Sequence, residues 1–147
     1  MSRRPLRAAA LGAALLLGGC VYPPPGGEAA ASLTGEAGWV FPAVPGADFP
    51  EGQPAQLRFH ADGRHSGGGL CNRLLGRYER TGSALAIEIV ATTKMACPPP
   101  RMAHERHLVG FLEDVARYSI TPTGALELVA EGDRRAAGHA VSDGEAE

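Results

Sequence analysis

The chain has 147 residues, of which 44% are hydrophobic and 5% aromatic, with 14 basic and 16 acidic side chains and a net charge of −2. This length and apolar content predict one folded domain and exclude a disordered chain. The charge balance disfavours a nucleic-acid ligand, because binding to a phosphate backbone requires clustered positive charge.

The first nineteen residues have the layout of a secretory signal peptide. A start with three arginines precedes an apolar run over residues 8–17 and the small residues Gly18 and Gly19. The apolar run is too short to span a membrane, which needs about 20 residues. Removal of residues 1–19 leaves eleven basic against sixteen acidic residues, so the mature chain has a net charge of −5.

Cys20 directly follows the small-residue site. The stretch "LGGC" resembles the lipobox of bacterial lipoproteins, which implies that Cys20 is lipidated and becomes the mature N-terminus. Two or more acyl chains, at about 0.8 kcal/mol per buried CH₂, anchor a protein stably. Because Val21 rather than an aspartate comes next, the usual lipoprotein sorting pattern predicts the periplasmic face of the outer membrane. An ordinary signal peptide with an incidental cysteine is the alternative.

The mature chain is predicted to have three parts. Residues 20–38 comprise the lipidated cysteine and a flexible tether rich in Pro, Gly and Ala. Residues 142–147 are acidic and lack apolar anchors, so they are predicted to form a disordered tail. The folded domain is therefore predicted over residues 39–141.

The first half of this domain is predicted as antiparallel strands. In "AQLRFHA", Leu57 and Phe59 share one face, and Asp-Gly at residues 62–63 predicts a hairpin turn. A second hairpin joins "LLGRYER" to the alternating segment "ALAIEIVATT" through Gly-Ser at residues 82–83.

The second half is predicted to contain one helix and further strands. The proline run 98–100 is expected to exclude helix and strand alike, and an amphipathic helix is predicted over residues 101–116. After it, "RYSITP" and "ALELVA" predict another hairpin, and "RRAAGHAV" predicts a weak strand. The predicted fold class is α+β, with antiparallel strands around one helix. The apolar positions that define the helix are Leu108, Phe111, Leu112 and Val115.

Of the three cysteines, Cys20 is assigned to the lipid anchor, so Cys71 and Cys97 remain as an even pair in an oxidising compartment. The two strands between them run out and back, so both cysteines are expected at the same edge of the sheet. That places them within the Cα separation of roughly 4.4–6.8 Å that a disulfide accepts. We therefore predict a Cys71–Cys97 disulfide.

Three segments together resemble a known family. The segments "SGGGLCNRLLGRY", "TTKMAC" and "ERHLVGFLEDV" resemble, in order and spacing, the META domain of HslJ-like bacterial envelope lipoproteins, over roughly residues 39–129. The resemblance implies a curved antiparallel sheet that partly wraps one helix, no established enzymatic activity, and links to stress response and novobiocin tolerance. The motif residues, to which we assign structural roles, are Gly67, Asn72, Arg73, Gly76, Thr93, Met95 and Glu105.

Physical roles can be predicted for the polar and glycine motif residues. The glycine run 67–69 is expected to supply positive φ or a close backbone crossing, and no Gly-Lys-Ser/Thr follows to indicate a phosphate loop. Asn72 is expected to cap neighbouring backbone groups. Glu105 lies on the apolar phase of the helix and therefore needs partners, for which backbone amides or Arg73 are the candidates.

Three reactive-site hypotheses compete with these structural roles. His104 and His107 could join the cysteines in a zinc site, but their spacing is not a zinc signature and an oxidising compartment favours the disulfide. A cysteine nucleophile with His65 or His104 is disfavoured because a bridged cysteine is not nucleophilic. Ser66 lacks the glycine that a nucleophile elbow requires. We predict no enzyme, no metal and no cofactor.

Two classes of function remain. The first is a non-catalytic, lipid-anchored envelope protein that binds another envelope protein or supports the envelope under stress. The alternative is a carrier of a small apolar ligand on the concave face of the sheet. A helix that fills this concavity would leave too little room for a pocket of roughly 300 Å³, so a small-molecule ligand is not favoured. The predicted partners are the membrane, through the lipid, and an envelope protein, with no nucleic acid.

Overall fold

The computed structural model describes residues 32–34 and 38–141. The signal peptide, Cys20, most of the tether and the acidic tail lie outside this part, so the predictions about them stay predictions. The described chain contains one α-helix, α1 (Pro99–Glu113), and a short 3₁₀ helix, Glu131–Asp133. Its strands are β1 (Trp39–Phe41), β2 (Ala43–Val44), β3 (Ala47–Asp48), β4 (Ala55–Phe59), β5 (Arg64–Gly68), β6 (Leu74–Thr81), β7 (Ala84–Thr92), β8 (Val115–Ile120), β9 (Leu126–Ala130) and β10 (Arg135–Ala140).

Eight of these strands close into an antiparallel barrel in the order β1-β10-β9-β8-β7-β6-β5-β4, and β2 pairs with β3 as a separate ribbon. The predicted fold class is therefore wrong: the domain is mostly β with a single short helix, not an α+β sheet that partly wraps a helix. Closure depends on β1, which pairs with β10 on one side and β4 on the other. At three residues, β1 is too short for alternation to reveal it in the sequence.

The barrel interior is packed with side chains that alternate along each strand. In β4, for example, Ala55, Leu57 and Phe59 are buried whereas Gln56 and Arg58 are exposed. An eight-stranded barrel is just wide enough for side chains to fill it. The large side chains that are almost fully buried include Phe41, Phe59, Phe111, Leu74, Leu85, Leu108, Leu112, Leu126 and Leu128.

The helix differs from its predicted bounds at both ends. It begins at Pro99, directly after the N-cap Pro98. Proline is tolerated there because the N–H groups of the first helical turn have no acceptor within the helix, so the missing N–H breaks no hydrogen bond. The prediction that the proline run excludes a helix is thus wrong. The helix ends at Glu113, and Val115 instead starts β8. No helix in the described ranges is long and apolar enough to cross a membrane.

The helix remains part of the core despite these shorter bounds. Leu108, Phe111 and Leu112 are its buried residues, and they join the same apolar cluster as the strands. The helix packs against β7, whose pairing with β8 is limited to Ala84 and Arg117. All strands predicted from the sequence form, including the weak C-terminal one as β10.

Candidate functional site

The two cysteines of the motif lie at bonding distance. Their Sγ atoms are 2.15 Å apart and their Cα atoms 6.0 Å apart. Cys71 lies in the loop between β5 and β6, and Cys97 lies just before the helix. The bridge therefore links this loop to the start of the helix, and it leaves neither sulfur available as a metal ligand or nucleophile.

Asn72 connects the loop to the segment that leaves β7. Its Oδ1 accepts hydrogen bonds from the backbone N–H of Met95 at 2.7 Å and from Thr93 Oγ1 at 3.1 Å. Thr93 Oγ1 in turn accepts a hydrogen bond from the backbone N–H of Arg73 at 3.0 Å. Asn72 thus binds backbone groups of the neighbouring segment. The side chain of Met95 takes no part in this network and is 60% exposed.

Glu105 anchors the same loop to the helix. Its Oε2 accepts a hydrogen bond from the backbone N–H of Asn72 at 2.5 Å, and its Oε1 accepts one from Asn72 Nδ2 at 2.7 Å. Of the two predicted kinds of partner, the structure uses a backbone amide and not Arg73. Both carboxylate oxygens are occupied, so the role of this side chain is to hold the loop in place.

Gly76 makes room for a histidine that crosses the sheet. His65 on β5 lies opposite Gly76 on β6, and its Nε2 lies 3.0 Å from the carbonyl oxygen of Glu88 on the next strand, β7. A Cβ atom on residue 76 would overlap both the Glu88 carbonyl oxygen and the His65 ring. The motif glycine therefore has a steric role, which its sequence pattern did not predict.

His65 is a buried titratable group, with 2% of its surface exposed. A carbonyl oxygen only accepts hydrogen bonds, so Nε2 carries the proton of the neutral ring, and Nδ1 has no partner among the described residues. Burial lowers the pKa of His65 below its ordinary value of 6.5, although the hydrogen bond to Glu88 opposes this shift. In the sequence, His65 was a candidate only as the base for a cysteine nucleophile. Two features of the sequence could have indicated its burial: it occupies an inward position in the alternation of β5, and it lies opposite a glycine in the hairpin register.

We expect His65 to make folding stability depend on pH. Below pH 6.5 the unfolded histidine takes up a proton, whereas the folded one stays neutral until its lower pKa is reached. The unfolded state then binds more protons, so stability falls as the pH falls through this window. Urea unfolding at a series of pH values should show this fall in the free energy of unfolding, and the fall should be smaller in His65→Gln. The control is His139→Gln, at an exposed position of β10, which should show the same fall as the parent. An equal fall in all three proteins would contradict the assignment to His65.

A surface groove with a volume of 760 Å³ adjoins the motif network. It runs along the C-terminal half of β5, where the outward residues Ser66 and Gly68 are small. The neighbouring outward residue Arg58 lies on β4, and Leu75 lies on β6. Small residues between larger ones create the depression.

Gly67 on β5 faces the barrel interior. A Cβ atom on this residue would lie 2.7 Å from the side chain of Leu57 and 2.8 Å from the carbonyl oxygen of Gln56. A close backbone approach is therefore observed at the glycine run.

The lining of this groove is basic. Arg58, Arg73 and Arg101 all contribute to it, and no aspartate or glutamate is among its lining residues in the described part of the chain. Two exposed apolar side chains, Leu75 and Met95, also line it. The arrangement can therefore bind a negatively charged group next to an apolar one.

Comparisons with known proteins identify a matching family and two solved structures with a similar fold. A sequence profile described as the META domain matches residues 31–141. A solved structure of a protein from Burkholderia xenovorans has 22% identity and a TM-score of 0.60, over 94% of this chain and 99% of that one. A second NMR structure has 21% identity and a TM-score of 0.55, over 71% and 88% of the two chains. A search of curated proteins finds no match.

Proposed function

Because the chain belongs to the META domain family, we propose that it is a non-catalytic, lipid-anchored envelope protein that binds another envelope protein. A contribution to stress response or antibiotic tolerance belongs to the same proposal. The anchor would be Cys20, and the place of action would be the periplasmic face of the outer membrane.

One observation carries the non-catalytic part of this proposal. The motif residues that could have served in chemistry bind one another: Cys71 is bridged to Cys97, and Asn72 occupies both carboxylate oxygens of Glu105. Their contacts join three separate segments of the chain, which is a structural role. The bridged sulfurs are not free to act as nucleophiles, which supports a non-catalytic role for this part of the domain.

A carrier of a small apolar ligand has no observation in its favour. The concave sheet on which it depended is a closed barrel, and the barrel interior contains large side chains such as Phe41, Phe59 and Phe111. We therefore do not propose it.

The lipid anchor can be tested directly. Intact mass of the protein from the membrane fraction is expected to match a chain that starts at an acylated Cys20, and Cys20→Ser should move the protein out of that fraction. Because Cys20 is not one of the two bridged cysteines, the unfolding midpoint of the purified variant should equal that of the parent. An unmodified Cys20, or membrane retention of the variant, would reject the anchor.

A further inference from the structure

We infer that the groove along β5 is a docking site for an acidic peptide segment of a partner protein, bound in an extended form. This inference deepens the proposed function, since it rests on the role in protein binding and assigns the surface and the chemistry of the partner.

The shape of the groove favours an extended chain. Ser66 and Gly68 form its floor on one strand, and residues of β4 and β6 rise on either side. A depression that follows a strand can hold an extended peptide along its length, because successive side chains of an extended chain point to opposite sides and would face the two walls.

The charge of the groove favours an acidic partner. The chain as a whole has a net charge of −2, yet Arg58, Arg73 and Arg101 line this groove and no carboxylate among residues 38–141 does. None of the three is ion-paired within the described residues, whereas Arg64, Arg117, Arg134 and Arg135 are. A positive patch on a negative protein steers and selects an anionic partner.

The apolar residues of the lining indicate that the bound segment also contains apolar side chains. Leu75 is 47% exposed and Met95 is 60% exposed, and both belong to the groove. A bound segment that alternates acidic and apolar residues would satisfy the arginines and cover these side chains together. A flat lipid surface fits less well, because the arginines line a concavity and a membrane contacts protruding side chains.

Fluorescence anisotropy with a short labelled peptide of alternating glutamate and leucine tests this inference. The protein is the full chain carrying Cys20→Ser, which retains every groove residue. Binding is expected at low salt and should weaken as the screening length shortens to about 8 Å at physiological ionic strength. A peptide with lysine in place of glutamate should bind at least about tenfold more weakly.

Variants locate the binding to the groove. The triple variant Arg58→Gln, Arg73→Gln, Arg101→Gln should lose affinity by about tenfold or more, because three facing charges are removed. Leu75→Glu places a carboxylate on the groove wall at an exposed position and should weaken binding as well. The matched control is Arg106→Gln, an exposed arginine on the helix outside the groove, which should change affinity by less than about twofold.

Four results would overturn the inference. The first is no peptide binding at low salt, and the second is equal affinity of the parent and the triple arginine variant. The third is arginine-dependent binding to anionic phosphatidylglycerol vesicles without peptide binding, which would assign the groove to lipid. The fourth is peptide binding that appears only when Asp143, Glu145 and Glu147 are neutralised, which would assign it to this chain's own acidic end. None of these alters the mass result at Cys20, so failure of the groove and failure of the anchor are distinguishable.

Discussion

Gly76→Ala is expected to lower the free energy of unfolding by about 3 kcal/mol or more, as overpacking against atoms that cannot move aside does. The new methyl group would overlap the Glu88 carbonyl oxygen on β7 and the His65 ring that crosses from β5. The backbone carbonyl cannot retreat without breaking the pairing of β6 with β7, and the ring is enclosed by the core. Urea unfolding of the purified domain at neutral pH measures the loss.

Gly110→Ala provides the matched control for this substitution. The same methyl group is added on the helix, where no atom of the described residues outside the helix backbone lies within 4 Å of the new Cβ. Alanine is a better helix former than glycine by about 0.8–1.0 kcal/mol, so this variant should be more stable than the parent. Equal small effects of the two substitutions would show that β6 and β7 separate easily at Gly76, and would contradict the steric role assigned to it.

The double variant Cys71→Ala, Cys97→Ala is expected to be less stable by about 2–4 kcal/mol while retaining the barrel. The two residues are 26 positions apart, so the bridge restricts a long loop in the unfolded chain. The Asn72 hydrogen bonds to Met95 and Glu105 join the same segments independently, which is why the fold should survive. Chemical unfolding in the Cys20→Ser background measures the difference.

Reduction of the parent provides the control for the cysteine substitutions. The reduced parent should unfold at nearly the same denaturant concentration as the double variant, because both lack the same cross-link. Thiol labelling of unreduced, denatured protein purified from the periplasm should find no free thiol at Cys71 or Cys97. Two labelled thiols would contradict the bridge and reopen the zinc and nucleophile hypotheses.

The sequence by itself determined the features that depend on local periodicity. Alternation placed Leu57 and Phe59 in the core, and turn residues marked the hairpins between β4 and β5 and between β6 and β7. The helical phase brought Glu105 to the loop that it anchors, because positions three and four apart share one face of a helix. The proximity of Cys71 and Cys97 followed from a strand out and a strand back.

Only the tertiary structure decided that the sheet closes. The pairing of Trp39 with Ala140 joins the two ends of the domain, and a three-residue strand carries too little pattern to predict such a distant partner. The helix bounds were also decided in three dimensions, since Val115 pairs with Ala130 in β8 although its spacing fits the helix. The same holds for His65, whose ring passes Gly76 on β6 and reaches the carbonyl oxygen of Glu88 on β7. Local sequence encodes which face of an element is apolar, but the partner that covers this face is set by packing between residues far apart in the chain.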